Sequence, residues 1–445
     1  MRWVLILGIV GCGDNVPMPV GVVQGSRLFA KGWTFDGASI FTGWHDVKLD
    51  IDCRFQVDVN GEFRCFPVTP TYSFADSSCT QPVVVADACS HPSYVTGPTK
   101  PLPACSTDTG STVYAVDGPT ADRISYSSSS GHCTPESVPT SSTVFSTHEI
   151  ESGLFVRATR VQANGVGSLV PLSFVADDGA IEQSSTWNRD RDEECSTHDD
   201  VHACMPANTA LNLENVSSDD TCSDPHEVAV FYGSLTPCTR PTVSEDVASS
   251  PPTFRTLVAP IPGPIYNKAS GACEQIAIGP EAVVYSEGEY IPQSSFPVET
   301  RTLDGTGQLR ATRYEETPGT PLVLASSMFD LGNVRDCAPQ TNIDGATRCA
   351  PTAAYVSSNL SNDYYFADSA CTEPLAQITG EQIILVSSEP AEGSCAPTQY
   401  FAHAIGDDYS GRLWGGNGTC GQLGVIDGRW ARVGDPIELP ILTPL

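Results

Sequence analysis

The spacing of the cysteines constrains this chain more than any other feature of its sequence. A first set, each member preceded by an acidic residue, lies at intervals of 142 residues, at Cys53, Cys195 and Cys337. Two further sets keep nearly the same interval, at Cys79, Cys222 and Cys371 and at Cys133, Cys273 and Cys420. Self-similarity at one period in several registers indicates internal repeats.

Other residues recur at nearly the same interval as the cysteines. A proline lies two residues after the next cysteine of each copy, at Pro67, Pro206 and Pro351. An aspartate lies three residues before the Cys79 set, at Asp76, Asp219 and Asp368. We therefore predict three tandem repeats of about 142 residues, at 25–152, 153–304 and 305–445. In this division each repeat opens on a strand-like segment, at Gly25–Ala30, Gly153–Ala158 and Gly307–Ala311.

The secondary structure is predicted to be β nearly throughout. Short runs rich in Val, Ile, Thr, Tyr and Phe, such as Val113–Val116 and Gln382–Val386, are separated by Gly, Pro, Asn, Asp and Ser. No amphipathic helix of three clean turns is evident in the sequence. Each repeat divides into two halves of about four short strands, which favours a β-propeller-like ring of six blades. The alternative is a row of three separate β-sandwich modules.

The cysteine count indicates a disulfide-rich protein from an oxidising compartment. Of the 17 cysteines, Cys12 stands apart and the other 16 form an even set. The natural local pairs are Cys53–Cys65, Cys195–Cys204 and Cys337–Cys349. A two-residue turn at Asn60-Gly61 would place Cys65 opposite Gln56, so the first pair requires a bulge or a bend.

The cysteines also divide unevenly among the predicted repeats. Repeats 1, 2 and 3 hold six, five and five of them. Two odd sets cannot pair internally, so either a disulfide joins the second repeat to the third or each keeps a free thiol.

The amino-terminal residues are typical of an exported protein. Arg2 precedes an apolar run at Val4–Val10 that is too short to span a bilayer but fits a signal peptide core. The segment Ile9-Val10-Gly11-Cys12 resembles the lipobox of bacterial lipoproteins. That resemblance implies a signal peptide at 1–11, lipidation of Cys12 and a tether at 12–24. The expected location is the cell envelope, at the outer membrane or cell surface, with membrane contact through the lipid.

The chain after residue 25 resembles a group of uncharacterised Cys-rich repeat lipoproteins of myxobacteria. The resemblance rests on Asp52-Cys53, Arg64-Cys65 and Phe74-Ala75-Asp76 and on their counterparts in the third copy. The second copy departs from the pattern, because Ala203 rather than an arginine precedes Cys204. The group implies export and surface anchoring and carries no established activity.

Charge narrows the range of partners. The net charge of −30 disfavours nucleic acid, because an acidic surface repels phosphate backbones. His198, Asp200 and His202 lie between Cys195 and Cys204 and are candidate ligands of a divalent metal. The alternative is that this segment is a solvated acidic loop without a metal. The sequence requires no cofactor.

No catalytic motif is present. The chain contains no GxSxG, HExxH, P-loop or GxGxxG pattern. We therefore expect a lipid-anchored protein of the cell envelope with a binding or structural role toward an unknown protein or glycan. The alternative is an extracytoplasmic carbohydrate-active or metal-dependent enzyme, so the sequence leaves catalytic activity open.

Overall fold

The structure is a computed structural model. It describes residues 18–68, 72–87, 92–103, 105–129, 132–140, 142–163, 167–198, 203–212, 216–223, 228–232, 240–246, 252–268, 272–276, 282–316, 327–332, 334–341, 345–351, 353–357, 365–378, 383–388, 399–415, 420–423 and 428–445. Among these described residues the regular structure consists of thirty-nine β-strands and two 3₁₀ turns, which confirms the predicted all-β class. In the part of the chain that the structure describes, no helix has the length and hydropathy of a membrane span.

Strands two to five of the chain form an antiparallel meander. In the second strand Leu28 and Ala30 are buried and Phe29 between them is exposed, as expected for a sheet with one covered face. The strands are β1 (Val22–Val23), β2 (Leu28–Phe35), β3 (Ala38–Asp46), β4 (Ile51–Val57) and β5 (Phe63–Pro67). Strands β2 to β5 are called run 1.

A second group of strands, group 1, follows run 1. Its strands are β6 (Tyr72–Phe74), β7 (Pro82–Asp87), β8 (Tyr94–Leu102), β9 (Cys105–Pro119), β10 (Ile124–Ser129), β11 (His132–Ser137) and β12 (Ser142–Ile150). They form a seven-stranded sheet in the order β11-β10-β6-β7-β12-β9-β8. A 3₁₀ turn at Ser152–Leu154 and strand β13 (Arg157–Gln162) then lead out of the group.

The middle of the chain has the same succession of elements. Run 2 contains β14 (Leu169–Ala176), β15 (Ile181–Asn188), β16 (Glu193–His198) and β17 (Ala203–Pro206). Group 2 contains β18 (Thr209–Asn212), β19 (Val216–Ser217), β20 (Val228–Phe231), β21 (Val243–Asp246), β22 (Thr253–Pro260), β23 (Ile265–Asn267), β24 (Glu274–Ile276) and β25 (Val283–Ile291). A 3₁₀ turn at Gln293–Ser295 and strand β26 (Thr300–Asp304) follow.

The last part of the chain completes the series. Run 3 contains β27 (Leu309–Glu315), β28 (Met328–Asp330), β29 (Arg335–Thr341) and β30 (Thr347–Pro351). Group 3 contains β31 (Ala353–Ser357), β32 (Tyr365–Phe366), β33 (Pro374–Ile378), β34 (Ile383–Ser388), β35 (Gln399–Tyr409), β36 (Trp414–Gly415), β37 (Gly421–Gln422) and β38 (Arg429–Pro436). The final strand is β39 (Thr443–Pro444).

The three groups pair their strands in one common order. Four strands are neighbours as β7-β12-β9-β8 in group 1, as β20-β25-β22-β21 in group 2 and as β33-β38-β35-β34 in group 3. Three smaller strands pair as β6-β10-β11, β19-β23-β24 and β32-β36-β37. In group 2 strand β18 pairs antiparallel with β20 and parallel with β21, which closes the larger set into a five-stranded barrel.

Strands β13, β26 and β39 join one run to another. Strand β13 pairs with both β5 and β14, so run 1 and run 2 form one continuous sheet. Strand β26 pairs with β27, and Val298 just before it bridges Ala203 in β17. Strand β39 pairs with β2, and Ile441 just before it bridges Arg348 in β30. Each of the three runs is therefore linked to the other two by backbone pairing.

This pairing differs from the predicted architecture. No six-bladed propeller is found among the described strands, which form several sheets and a five-stranded barrel. The strand that matches β2 and β27 in its pairing is β14, which begins at Leu169, rather than the predicted Gly153–Ala158 segment. The sequence pattern missed this because Gly153–Ala158 looks strand-like, although it contains most of a 3₁₀ turn and only the first two residues of β13.

The core of each run is built around one leucine and one disulfide. Leu28 packs in a cluster with Cys53 and Cys65, and Leu169 packs with Cys195 and Cys204. In run 3 the corresponding cluster contains Leu309, Cys337 and Cys349. All nine side chains are buried.

The acidic residue before each first cysteine pairs with a basic side chain. The Nη1 of Arg160 in β13 donates to Glu194 over 2.8 Å, and the Arg160 guanidinium also lies over the ring of Phe174. The guanidinium of Arg301 in β26 pairs with Asp336. In run 1 the corresponding carboxylate, Asp52, pairs with Lys31. These ion pairs explain the acidic residue of the repeated motif.

Candidate binding cavity

A cavity of about 600 Å³ lies where the β4–β5 hairpin meets group 1. Its lining includes Val59, Asn60 and Arg64 from the hairpin, Thr112 from β9, Glu149 from β12, and Ser152 from the 3₁₀ turn. A volume of this size is typical of small-molecule sites. Most of the side chains named here are polar, so the cavity offers several hydrogen-bonding groups in one concave surface.

The hairpin side of the cavity is held in place by Asp58. This residue is fully buried, and its Oδ1 accepts the backbone N–H of Asn60 over 2.8 Å and that of Glu62 over 2.9 Å. Gly61 has a φ of +83°, a left-handed conformation that glycine adopts without strain. The predicted turn at Asn60-Gly61 is therefore present, but it belongs to a longer loop that begins at Asp58.

The same aspartate ties the hairpin to residues far away in sequence. The Ser152 hydroxyl donates to Asp58 Oδ2 over 2.7 Å, although 94 residues separate the two. Nearby, Arg64 Nη1 donates to the carbonyl oxygen of Phe155 over 3.2 Å. A buried carboxylate with several donors is held rigidly. The two walls of the cavity are thus joined by direct hydrogen bonds.

The rim of the cavity carries charges of both signs. Lys100 Nζ lies 2.8 Å from Glu149 Oε1 and 2.9 Å from Oε2. The Tyr114 hydroxyl lies 3.5 Å from the same carboxylate, and Glu151 is exposed. Because Lys100 pairs with Glu149, the polar part of the lining is not strongly acidic, and Val113 and Ile150 make the rest of it apolar. Such a mixed lining suits a ligand with hydroxyl or amide groups on an apolar frame.

The structure places a disulfide at each local pair that the sequence indicates: Cys53–Cys65, Cys195–Cys204 and Cys337–Cys349. In the first hairpin Cys65 lies opposite Phe55, not Gln56, because the loop is longer than two residues. The bridge therefore joins diagonal neighbours, and no bulge interrupts this strand pair. The first cysteine lies opposite the proline of the repeated pattern in each case, at Pro67, Pro206 and Pro351.

Three longer disulfides were not paired by the sequence analysis, although their spacing could have suggested them. They are Cys79–Cys133, Cys222–Cys273 and Cys371–Cys420, with separations of 54, 51 and 49 residues. The first cysteine of each has a left-handed φ of 50° to 52°. Each closes a turn that the preceding aspartate organises.

Asp368 illustrates how this turn is held. Its Oδ1 accepts the backbone N–H groups of Thr372 and Glu373, each over 2.8 Å. The bond from Glu373 is the main reason that the pKa of Asp368 falls to about 2, since it favours the ionised form. The hydroxyl of Thr221 likewise lowers the pKa of Asp219. The repeated aspartate therefore serves the fold.

The remaining predicted site residues lie outside the residues that the structure describes. Asp200 and His202 are not among the described residues, and neither is the side chain of His198. Cys12 and the signal segment also precede the first described residue. Within the described ranges no group of three or more His, Cys, Asp or Glu side chains is placed to hold a metal. The metal site at 198–202 stays a prediction.

Two glutamates with raised pKa values, the partly buried Glu182 and the buried Glu299, escaped the sequence-based prediction. Burial raises the pKa of Glu182 to about 7, and its Oε2 accepts the indole N–H of Trp44 over 2.7 Å. Burial also raises the pKa of Glu299, which is only 2% exposed. Nothing in the sequence singles them out, because each lies in an ordinary strand-like segment.

The fold and the bridges define an all-β protein framed by disulfides. Residues 6–296 match the model of a family of unknown function, DUF7481, and the chain belongs to that family. The match ends just before Val298, where the chain bridges run 2. No curated protein and no solved structure matches the chain.

Proposed function

We propose that the protein is an exported, lipid-anchored protein of the cell envelope that binds a small polyhydroxylated ligand, such as the end of a glycan chain. Six disulfides among the described residues support an oxidising compartment. The lipid on Cys12 would hold the protein at the membrane. The rest of the chain would present the cavity on a rigid frame.

The frame that we propose is a closed ring of three like units. Unit 1 runs from β2 to β13, unit 2 from β14 to β26 and unit 3 from β27 to β39. The common pairing order of the three groups supports this division. So does an equivalent backbone bond within each unit, in which the N–H of Cys65, Cys204 or Cys349 donates to the carbonyl oxygen of Val156, Pro297 or Pro440.

Three carboxylates support the closure of the ring. Asp178 of unit 2 accepts the backbone N–H of Leu28 in unit 1 over 2.7 Å. Asp36 of unit 1 accepts the N–H of Leu309 in unit 3 over 3.0 Å, and Glu316 of unit 3 accepts that of Leu169 over 3.1 Å. Each unit thus caps the first strand of one neighbour and is capped by the other.

The cavity near Asp58 is the observation that carries the binding role. Its volume of about 600 Å³ accommodates a mono- or disaccharide. Asn60, Thr112, Glu149 and Ser152 provide amide, hydroxyl and carboxylate groups, which are the groups that hydrogen-bond sugar hydroxyls. Because hydrogen bonds already fix both walls, binding would not require the cavity to be ordered first.

The binding proposal is tested by filling the cavity. Gly153 lies in the lining and a Cβ there meets no atom within 4 Å, so Gly153→Trp should block the site without disturbing the fold. Gly118 is equally free of neighbours and lies outside the lining, so Gly118→Trp is a matched control.

The probes are neutral mono- and disaccharides at millimolar concentration, measured by calorimetry and by thermal unfolding. We expect one sugar class to bind saturably to the natural protein and to Gly118→Trp but not to Gly153→Trp. Equal binding to both variants, or no binding of any sugar to the natural protein, would refute the proposal.

A further inference from the structure

The junction between unit 2 and unit 3 contains a buried carboxylate at a position that is apolar in the corresponding described residues of the other two junctions. Glu299 lies two residues after Pro297, whose carbonyl oxygen accepts the N–H of Cys204. The residues at the same distance from the equivalent bonds are Ala158 and Leu442. Both are buried in apolar clusters, so the architecture itself does not require a charged group at this position.

Glu299 has no partner that would explain its burial. Its side chain is 2% exposed, and neither carboxylate oxygen has a hydrogen-bond partner among the described residues. The hydroxyl of Thr197 is close enough to favour the ionised form but is also buried outside hydrogen-bonding geometry. An ionised carboxylate buried without a partner costs several kcal/mol, so such groups are normally protonated or bound to a cation.

A second carboxylate faces the same place. Thr300 in β26 pairs with Glu315 in β27, and one step further in this register brings Glu299 opposite Glu316. Residues directly opposite each other in an antiparallel pair project to the same face, with Cβ atoms about 4.5–5.5 Å apart. The charge of Glu316 adds to the effect of burial on Glu299. Two like charges in this position repel each other unless a cation lies between them.

We propose that Glu299 and Glu316 bind a hard divalent cation, Ca²⁺, at the junction of units 2 and 3. Ca²⁺ prefers oxygen ligands, carboxylates above all, and the Thr197 hydroxyl lies close enough to Glu299 to affect its pKa. Glu316 also accepts the N–H groups of Ser168 and Leu169 in unit 2. The ion would therefore link β26 and β27 to run 2.

The test compares the calcium response of variants at this position. The protein is freed of metal by dialysis against a chelator and then titrated with CaCl₂ at constant ionic strength, by calorimetry and thermal unfolding. We expect one Ca²⁺ per chain, with a Kd of about 10⁻⁴–10⁻³ M, and a rise of a few degrees in the unfolding temperature.

Glu299→Leu reproduces the residue found at Leu442 and should abolish the calcium response. Without calcium this variant should unfold at or above the temperature of the natural protein, because the unpaired carboxylate is gone. Glu289→Gln, which removes an exposed acid from β25, should retain the full response. If Glu299→Leu does not fold, the nearly isosteric Glu299→Gln serves in the same measurement.

Two results would overturn the proposal. One is that calcium does not change the stability of the natural protein. This includes the case in which the stability of the natural protein depends on pH and Glu299→Gln removes that dependence. The carboxyl pair would then share a proton instead of a cation. The other is a calcium response that Glu299→Leu retains in full.

Discussion

The Glu182 carboxyl makes folding stability depend on pH in a way that one substitution should remove. Glu182 lies in β15 and faces Trp44, a fully buried residue of run 1. Burial raises its pKa from 4.5 to about 7, against smaller opposing effects of the Trp44 indole N–H and the positive charge of Arg54. In the unfolded chain the same carboxyl regains its ordinary pKa.

The direction of the pH dependence of stability follows from the direction of this pKa shift. Because the folded pKa is raised, the unfolded chain binds fewer protons between the two pKa values, and stability falls as pH rises. The contribution is fully present below about pH 4.5 and is lost as the pH rises through about 7. At about 1.4 kcal/mol for each pKa unit, the loss amounts to about 3 kcal/mol.

Glu182→Gln keeps an oxygen that accepts the Trp44 N–H and removes the ionisation. We expect urea unfolding curves of the two proteins to give similar stabilities near about pH 4 and to diverge by about 3 kcal/mol near about pH 8, with the variant the more stable. Glu289→Gln, an exposed acid of β25, is the control and should follow the natural protein. Parallel stability curves for Glu182→Gln and the natural protein from acid to alkaline pH would refute this account of the buried carboxyl.

Three further predictions concern turns and junctions. Val334 has a φ of +54°, which strains a β-branched residue, whereas aspartates, Asp50 and Asp192, occupy the corresponding positions of the other two turns. Val334→Asp should therefore stabilise the protein by about 1 kcal/mol in thermal unfolding. An unchanged or lower stability would show that the backbone at Val334 is not strained. Asp178→Ala leaves the N–H groups of Arg27 and Leu28 without their acceptor and should cost about 2 kcal/mol in urea unfolding, whereas a cost near zero would argue against the cap. The Asp368 carboxyl should titrate near 2 by NMR, and the stability that it contributes should be fully present above pH 3.8 and lost as the pH falls from there through about 2. Titration near 3.8 would show that the turn is not held as described.

Local pairs were predictable from the sequence because their chemistry is local. The two ends of Cys53–Cys65 and Cys195–Cys204 lie 12 and 9 residues apart, within one hairpin. The strands themselves followed from β-propensity and from the turn residues between them. The register of the β4–β5 hairpin was harder to predict, because the length of its loop depends on the side-chain hydrogen bonds of Asp58 and not on the Asn60-Gly61 pair alone.

The arrangement of the runs could not be predicted in the same way. Asp36 meets Leu309 across 273 residues, and Asp58 meets Ser152 across 94. Contacts at such separations depend on which strand edges pair, and many short strands of similar composition satisfy the same hydrophobic pattern. The propeller prediction failed for this reason, and the cavity was missed because its two walls come from different parts of the chain.

The buried Glu299 shows what a comparison of the three copies could have added. Glu299 stands where the other junctions have Ala158 and Leu442, a contrast that appears once the copies are aligned on Cys65, Cys204 and Cys349. An alignment that sets Gly153–Ala158 at the start of a copy does not place Glu299 beside Ala158, so this contrast does not emerge from it.

Peptide mapping of the mature protein under non-reducing conditions tests the central claim most directly. The account predicts the same two bridges in each unit: Cys53–Cys65 and Cys79–Cys133, Cys195–Cys204 and Cys222–Cys273, and Cys337–Cys349 and Cys371–Cys420. It also predicts an amino terminus at a lipid-modified Cys12. Bridges that join these twelve cysteines across units, or an unmodified Cys12 on a chain that still begins at Met1, would contradict the account of an exported, three-unit protein.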